Sequence, residues 1–193
     1  NNTASGYGGG IRMRGGHIAF SDSNIYDNSA PIGGGVYGNQ YGIYAPVLDF
    51  PSATDVYNNQ ALSGDGLGGG VYLSQGSIWL ADRSDIYLND AIDGGGVYLI
   101  TSTLTINGAD SEIDSNTATD DGGGVYAQGS TINLDDGAEL YNNDAATDGT
   151  GSGGGAYMDD SDLWSDKAKI WYNAADDSGG GVYAANGSSV DMD

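Results

Sequence analysis

The sequence predicts an all-β fold, a parallel β-solenoid of about seven coils, each built from three short strands, with no helix of note. Two motifs that recur in a fixed order lead to this prediction. A GGG triplet returns at intervals of 25 to 35 residues, and an aliphatic residue followed by xxNxA precedes each triplet from the second onward. Repeats of this length are typical of solenoids, and no segment shows the 3.6-residue period of an amphipathic helix. The triplets, and with them the predicted coils, begin at Gly8, Gly33, Gly68, Gly94, Gly122, Gly153 and Gly179.

The first strand of each coil is predicted directly after its triplet. Val-Tyr stands there in five coils, Ile11-Arg12 in the first and Ala156-Tyr157 in the sixth. Glycine lets the backbone adopt positive φ and lets neighbouring coils approach each other without a Cβ. Because parallel strands pair at ~4.8 Å, the seven coils predict a column of glycines along a rod of roughly 35 Å.

The second strand is predicted where apolar and polar residues alternate, as at Ile18 and Phe20 or at Leu104 and Ile106. Alternation over four to six residues, bounded by Gly, Asn, Asp and Ser, is typical of a strand with one buried face. The longest extra segment, from Gly38 to Pro46, follows the first strand of the second coil. It predicts a loop that protrudes from the rod.

The third strand contains the aliphatic residue of the second motif, and the asparagine three residues later is predicted to lie at a turn. Parallel stacking places one such asparagine above another, so their side-chain amides can hydrogen-bond from coil to coil. We therefore predict a structural asparagine ladder. Its members are Asn28, Asn59, Asn89, Asn116, Asn143 and Asn173.

The charge of the chain excludes several classes of partner. Only five Lys and Arg oppose 27 Asp and Glu in 193 residues, which gives a formal net charge of −22. Phosphate backbones and anionic lipid head groups would be repelled, so we expect no nucleic acid partner. No stretch of ~18 apolar residues exists, so we expect no direct membrane insertion of this segment. The chain has no cysteine, which excludes disulfides and thiolate metal sites.

We expect one β-helix domain over residues 1–193 that is a segment of a longer solenoid. The stretch from Asn1 to Tyr7 contains the NxA end of a preceding coil, and Asp193 follows the middle strand of the seventh coil. Neither end has an evident capping structure. Unpaired sheet edges at the two ends predict either a longer parent chain or self-association through the ends.

The GGGVY and IxxNxA runs together cover essentially the whole chain, and they resemble the repeats of a known group. The group is the bacterial right-handed parallel β-helix (pectin-lyase-like) surface proteins. The closest resemblance is to the GGA(I/V) and FxxN repeats of polymorphic outer-membrane and autotransporter-passenger proteins. The Phe of the family motif is here Ile, Val or Leu, which the interior of a solenoid accepts. The resemblance implies a right-handed coil, an extracellular or cell-surface location and a stalk or adhesive passenger, usually without an active site.

Two aromatic columns are candidates for recognition, because aromatic rings stack on sugars and dominate protein interfaces. The alternatives are self-association and a purely structural role, in which stacked rings stabilise the sheet. The second column follows the aliphatic residue of the third strand and comprises Tyr26, Tyr57, Tyr87, Tyr141 and Trp171. The first column, our candidate binding site for a glycan or surface protein, comprises Tyr37, Tyr72, Tyr98, Tyr126, Tyr157 and Tyr183.

Aspartates cluster just before the triplets and are candidate metal ligands. Carboxylates stacked at ~4.8 Å repel one another, and a hard cation with oxygen ligands would relieve this repulsion, so Ca²⁺ is the candidate cofactor. The sequence lacks both the EF-hand loop and the GGxGxD nonapeptide, which favours the alternative of a solvated acidic surface. The candidate ligands are Asp93, Asp120, Asp121, Asp148, Asp176 and Asp177.

An enzyme is a further hypothesis, because pectin-lyase-like folds host polysaccharide lyases and hydrolases. A polyuronate lyase needs cations to hold its substrate, a glycoside hydrolase needs two matched carboxylates, and neither set stands out from the repeat. His17 is the only histidine. We therefore predict a non-enzymatic extracellular structural or adhesive segment that presents tyrosine columns and loops to a partner. The alternatives are a fibre subunit that stacks end to end and a polysaccharide-active enzyme.

Overall fold

The computed structural model describes residues 1–145 and 149–193, and in these ranges the chain forms 27 strands and no helix. Every pairing between strands is parallel and joins one coil to the next, so the strands form four sheets along one solenoid. The predicted all-β parallel β-solenoid of about seven coils is confirmed. None of the described residues belongs to a helix that could span a lipid bilayer.

Sheet 1 contains the strands that follow the glycine triplets. Its side chains alternate, so that Val97 and Leu99 point into the interior and are fully buried, while Tyr98 lies on the opposite side. The seven strands are Ile11–Arg14, Val36–Asn39, Val71–Ser74, Val97–Ile100, Val125–Gln128, Ala156–Asp159 and Val182–Ala185.

Sheet 2 contains the strands predicted from period-two alternation. In its central strands the apolar residues are buried and the residues between them are half-buried or exposed, as alternation requires. The seven strands are Gly16–Ser21, Pro46–Ser52, Ser77–Ala81, Thr103–Asn107, Thr131–Asp135, Asp162–Ser165 and Ser189–Met192.

Sheet 3 contains the predicted third strand, which has only three residues in each coil. The residue after each of these strands has φ between 52° and 55°, and this left-handed conformation breaks the pleat. The strands are Asn24–Tyr26, Asp55–Tyr57, Asp85–Tyr87, Glu112–Asp114, Glu139–Tyr141 and Lys169–Trp171.

Sheet 4 is a fourth strand per coil that the sequence pattern did not separate from the third. It forms because the chain turns at the left-handed residue and then extends again for two residues before the next triplet. Its strands are Asn2–Thr3, Asn28–Ser29, Gln60–Ala61, Asp90–Ala91, Thr117–Ala118, Asp144–Ala145 and Ala174–Ala175.

The core is a continuous column of aliphatic side chains from all coils. Equivalent residues pair in register, such as Leu104 with Ile132 in sheet 2, and both are fully buried. Phe20 and Phe50 stack with ring centroids 5.2 Å apart in the first two coils. Because each coil buries its apolar face only against its neighbours, the stack acts as one core.

The glycine triplets are required by close backbone contacts. Gly94 has a φ of +62°, and a Cβ on it would lie 2.6 Å from the carbonyl oxygen of Val97. A Cβ on Gly96 would lie 2.6 Å from the carbonyl oxygen of Gly124 in the next coil and 2.9 Å from Asn116 Nδ2. A side chain at either position would therefore separate coils that must hydrogen-bond to each other.

The loop predicted from Gly38 to Pro46 is shorter in the structure. Gly38 belongs to a strand of sheet 1 and Pro46 to a strand of sheet 2, so the loop spans residues 40–45. Tyr41, Ile43 and Tyr44 are exposed in it. The guanidinium carbon of Arg14 lies 4.4 Å from the centre of the Tyr41 ring, a cation–π contact that holds the loop against the first coil.

Candidate functional site

The six asparagines predicted to form a ladder lie one above another along the solenoid. Asn116 shows the pattern: its Nδ2 donates to Asn143 Oδ1 at 3.0 Å and to the carbonyl oxygen of Ile86 at 2.8 Å. Its Oδ1 accepts hydrogen bonds from both the backbone N–H and the Nδ2 of Asn89, each at 3.0 Å. Asn59, Asn89 and Asn143 repeat this arrangement, and Asn28 and Asn173 repeat part of it at the two ends of the ladder.

The column has a seventh member, Asn2, whose Nδ2 donates to Asn28 Oδ1 at 2.8 Å. The Asn2-Thr3-Ala4 run was the signal for it. The amides of Asn59, Asn89 and Asn116 are fully buried, and their polar atoms are bonded. A buried amide without partners would destabilise the fold. Removal of one asparagine would leave its neighbours in the ladder without partners, so the ladder stabilises the stack only while it is continuous.

A serine column that sequence reasoning missed lies just before the strands of sheet 2. Ser130 Oγ accepts a hydrogen bond from the backbone N–H of Ser102 at 3.1 Å and donates to the carbonyl oxygen of Gln128 at 2.8 Å. Ser161 and Ser188 continue the pattern. The signal was a serine directly before the alternating run in four successive coils.

The first tyrosine column stacks ring on ring. From Tyr37 to Tyr183 the ring centroids of neighbouring coils lie 4.5 to 5.5 Å apart, with planes within 24° of each other. Tyr72 is only 9% exposed and Tyr98 only 8%. Each inner ring has both faces covered by its neighbours, so the faces that would stack on a sugar are occupied. This geometry favours a structural role for the column, and its role in ligand binding stays a prediction.

Burial also raises the pKa of inner tyrosines of the column. Burial, together with the smaller effect of the neighbouring Tyr37 and Tyr7 hydroxyls, raises the pKa of Tyr72 to about 12. Burial, followed by the proximity of Tyr157, raises the pKa of Tyr126 to about 12. The hydroxyls of Tyr72 and Tyr126 are therefore protonated at neutral pH, and no repulsion between phenolates opposes their stacking.

The second aromatic column stands beside a column of carboxylates on sheet 3. Tyr57 stacks between Tyr26 and Tyr87 at 5.1 and 5.0 Å, and the column is interrupted at Asp114. The signal for the carboxylates, which sequence reasoning missed, was an acidic residue directly before the aliphatic residue of the second motif. The carboxylates, in register along the strands, are Asp55, Asp85, Glu112 and Glu139.

Asp85 is the most perturbed carboxyl of this column. Burial, together with the smaller effect of the neighbouring charges of Glu112, Asp55 and Asp114, raises its pKa to about 7, against a hydrogen bond from the Glu112 N–H at 3.0 Å that lowers it. At the far end of the column, Glu139 accepts hydrogen bonds from Lys169 Nζ at 2.5 Å and from Trp171 Nε1 at 2.9 Å.

Three of the aspartates predicted as calcium ligands accept hydrogen bonds from the backbone. Asp93 Oδ1 accepts a hydrogen bond from the Asp121 N–H at 3.1 Å, and Asp121 Oδ1 accepts one from the Ser152 N–H at 2.9 Å. Asp176 Oδ2 accepts one from the Gly149 N–H at 2.7 Å, and Asp120, Asp176 and Asp177 are all exposed.

Burial, together with the smaller effect of the nearby Asp120 and Asp121 charges, raises the pKa of the Asp93 carboxyl to about 6. Within residues 1–145 and 149–193, no group of three or more His, Asp or Glu side chains is arranged to hold a metal ion. Asp148 lies outside the described residues. The calcium site stays a prediction, and melting curves with millimolar calcium and with chelator check it.

His17 lies on the outward side of sheet 2, where its Nε2 is 2.6 Å from Asp49 Oδ2. Its side chain is mostly exposed to solvent. Catalytic groups are usually tuned by a desolvated cleft, and this pair has no such surroundings. The enzyme hypothesis stays a prediction to which no residue is assigned.

Sequence reasoning also missed two tryptophans on the outward side of sheet 2. Trp79 is 44% exposed and Trp164 48%. The strand register places them in one row, with Thr105 and Asn133 between them in the two intervening coils. Their position at alternate residues of the second strand was the signal, but their alignment follows only from the pairing of coils of different length.

Comparison with known proteins gives a local similarity. Residues 110–128 match the Chlamydia polymorphic membrane protein repeat. This stretch contains one copy of each motif, from the aliphatic residue of IxxNxA to GGGVY. No curated protein and no solved structure matches the chain. The similarity over one repeat, together with the β-solenoid fold, suggests a surface or outer-membrane repeat protein and agrees with the extracellular or cell-surface location expected from the sequence.

Proposed function

We propose that this chain is a non-enzymatic structural and adhesive segment at the cell surface, a stiff rod that presents its sides to a partner. The observation on which the proposal rests is the ladder from Asn2 to Asn173, because it bonds each coil to the next with the same side-chain hydrogen bond. A column that repeats without interruption resists bending and holds the outward side chains at fixed spacing. The match of residues 110–128 supports the surface location.

The exposed apolar side chains support the adhesive part of the proposal. Tyr41, Ile43 and Tyr44 are exposed in the loop of the second coil, and Trp79 and Trp164 are exposed on sheet 2. Clusters of large apolar residues that stay exposed mark interaction sites, and aromatic residues are enriched in such sites. A net charge of −22 keeps the rod soluble and repels nucleic acids and anionic lipids.

Adhesion of coated beads tests the proposal. Beads that carry the purified chain are added to a panel of animal and bacterial cells, and beads that carry an unrelated acidic protein serve as the control. We expect attachment above the control, and no release of sugar when the chain is incubated with a panel of polysaccharides. If the beads attach to no cell type, or if sugar is released, the proposal is contradicted. Filaments in the same preparations, seen by electron microscopy, would favour the fibre alternative.

A further inference from the structure

We propose that the outward side of sheet 2 between Trp79 and Trp164 binds an uncharged glycan chain. This inference rests on the proposed adhesive function and adds the site and the class of ligand. We call the surface the tryptophan face; it consists of the outward side chains at two positions of four successive strands, the position of Trp79 and the position two residues before it. Its members are Ser77, Trp79, Thr103, Thr105, Thr131, Asn133, Asp162 and Trp164.

The two indoles stand in one row that runs along the rod. Trp79 pairs with Thr105, Thr105 with Asn133, and Asn133 with Trp164, so the two rings are three coils apart, about 14 Å at the usual spacing of strands. A linear chain that lies along the rod would therefore meet both rings. Both belong to one continuous sheet, whose backbone hydrogen bonds hold their separation fixed.

Neither indole is engaged by the protein itself. In the described part of the chain, neither ring packs on another aromatic ring and neither Nε1–H of Trp79 and Trp164 donates a hydrogen bond, although both side chains are about half exposed. Trp171 is the contrast, because it is 40% exposed but stacks on Tyr141 at 5.1 Å and donates to Glu139. The rings of the tryptophan face thus have a free apolar surface and a free donor.

Hydroxyl and amide groups form the floor between the rings. Ser77, Thr103, Thr105, Thr131 and Asn133 are half-buried, and their polar atoms point outward from the same sheet. Asn133 Nδ2 donates to Thr105 Oγ1 at 3.2 Å, which leaves the amide oxygen and the second amide hydrogen free for a ligand. Apolar rings with a few ordered polar groups between them are the usual composition of a ligand site.

The uncharged floor and its acidic surroundings favour an uncharged ligand. The floor residues from Ser77 to Asn133 include no charged side chain, in a chain with 27 acidic residues. Acidic groups stand at the edges of the floor, where Asp49 pairs with Trp79, Asp135 follows Asn133 by two residues and Asp162 precedes Trp164 by two residues. A polyuronate or sulfated chain would be repelled by these groups and by the net charge of −22, and so would a second copy of this protein. A neutral glycan meets no such repulsion.

Binding to defined polysaccharides tests the inference. Affinity electrophoresis in gels that contain hydroxyethyl cellulose, xylan, galactomannan, dextran or polygalacturonate reports binding as retardation. We expect at least one neutral polymer to retard the chain and polygalacturonate to have no effect. Trp79→Ala and Trp164→Ala should each weaken the retention roughly tenfold or more, since each removes one of the two stacking surfaces.

Trp171→Ala is the matched control, because it removes a similarly exposed indole from a different sheet and should leave the retention unchanged. Thr105→Arg keeps both indoles and places a bulky charge on the floor, so it should also abolish binding even if a Trp→Ala variant folds poorly. Circular dichroism and melting temperature verify that each variant folds. Failure of all neutral polymers to bind, equal binding of polygalacturonate, or equal loss in Trp171→Ala overturns the inference.

Periodate treatment of the target cells separates this inference from the adhesive proposal. If coated beads attach equally to treated and untreated cells and no neutral polymer binds, the glycan inference is wrong and the adhesive function stands. If neutral polymers bind but beads attach to no cell, the tryptophan face stands and the adhesive proposal is wrong.

Discussion

Replacement of Asn116 with alanine should destabilise the protein by about 4 kcal/mol. The change removes two bonds that Nδ2 donates, to Asn143 and to Ile86, and two that Oδ1 accepts from Asn89. At roughly 1 kcal/mol net for each hydrogen bond, four bonds give this figure. Because Asn89 is fully buried, its N–H would also be left without a partner inside the protein, which makes the figure a lower bound.

Asn2→Ala is the matched control at the first coil. Asn2 is exposed, and its side chain makes a single bond of the ladder, from Nδ2 to Asn28 Oδ1. Its loss should change the free energy of unfolding by less than about 1 kcal/mol. The two variants remove the same chemical group from the same column and differ in burial and in the number of bonds.

Urea unfolding followed by circular dichroism measures both effects. The midpoint of Asn116→Ala should fall while the m-value stays the same, because the folded state still buries the same surface. Asn116 lies in a central coil, so its loss must affect the main transition and cannot be confined to fraying at one end. A loss below about 1.5 kcal/mol, or one no larger than that of Asn2→Ala, would refute the argument that the ladder stabilises the stack.

Three further predictions concern other columns of the solenoid. Gly96→Ala should destabilise by about 3 kcal/mol or prevent folding, whereas Gly181→Ala should change the urea midpoint little, because its Cβ would meet only Ile170 Cγ2 at 3.4 Å. The pKa of Asp85, about 7 against 3.8 for an unperturbed aspartate, means that the folded state binds this proton more tightly than the unfolded chain. Stability from this group is therefore full below pH ~4 and declines as the pH rises to about 7; Asp85→Asn should remove the decline, raising the melting temperature at pH 8 but not at pH 4. Leu88 is 51% exposed with a φ of 53°, so Leu88→Asn should raise the free energy of unfolding by roughly 0.5 to 1 kcal/mol, and an unchanged or lower urea midpoint would contradict this.

The sequence was sufficient to predict the coils and the positions of the glycines and asparagines, because local sterics and hydrogen bonding require particular residue types there. A Cβ at Gly94 would meet a carbonyl oxygen three residues away, so no other residue fits. The ladder position needs a short side chain with both a donor and an acceptor, and this requirement made Asn116 and its equivalents visible as a repeat. The division of the third strand into two was not visible, because the turn residue varies from Asp27 to Leu88 and only its backbone angle is constant.

Burial and alignment between coils could not be predicted from a single repeat. Tyr72 and Tyr98 stand at alternate positions that the pattern assigns to the outside, yet the rings above and below them cover both faces. The raised pKa of Asp85 has the same origin, because the burial of its carboxyl depends on the adjacent coils. The alignment of Trp79 with Trp164 depends on how coils of 25 to 35 residues place their extra residues outside the paired strands, which no motif records.

The uniformity of a column indicates whether its residues serve the fold or a ligand. Six tyrosines at one position of sheet 1 pack on one another, since each ring stacks on an identical ring in a neighbouring coil. The row on sheet 2 that contains the tryptophans has no such repeat: it reads Ala19, Asp49, Trp79, Thr105, Asn133, Trp164 and Asp191. Alanine, threonine and asparagine at this position show that the fold does not need an indole there. Two exposed indoles in a row that the solenoid fills with small and polar residues elsewhere agree with the proposed glycan site, since a ligand that covers both rings would account for them.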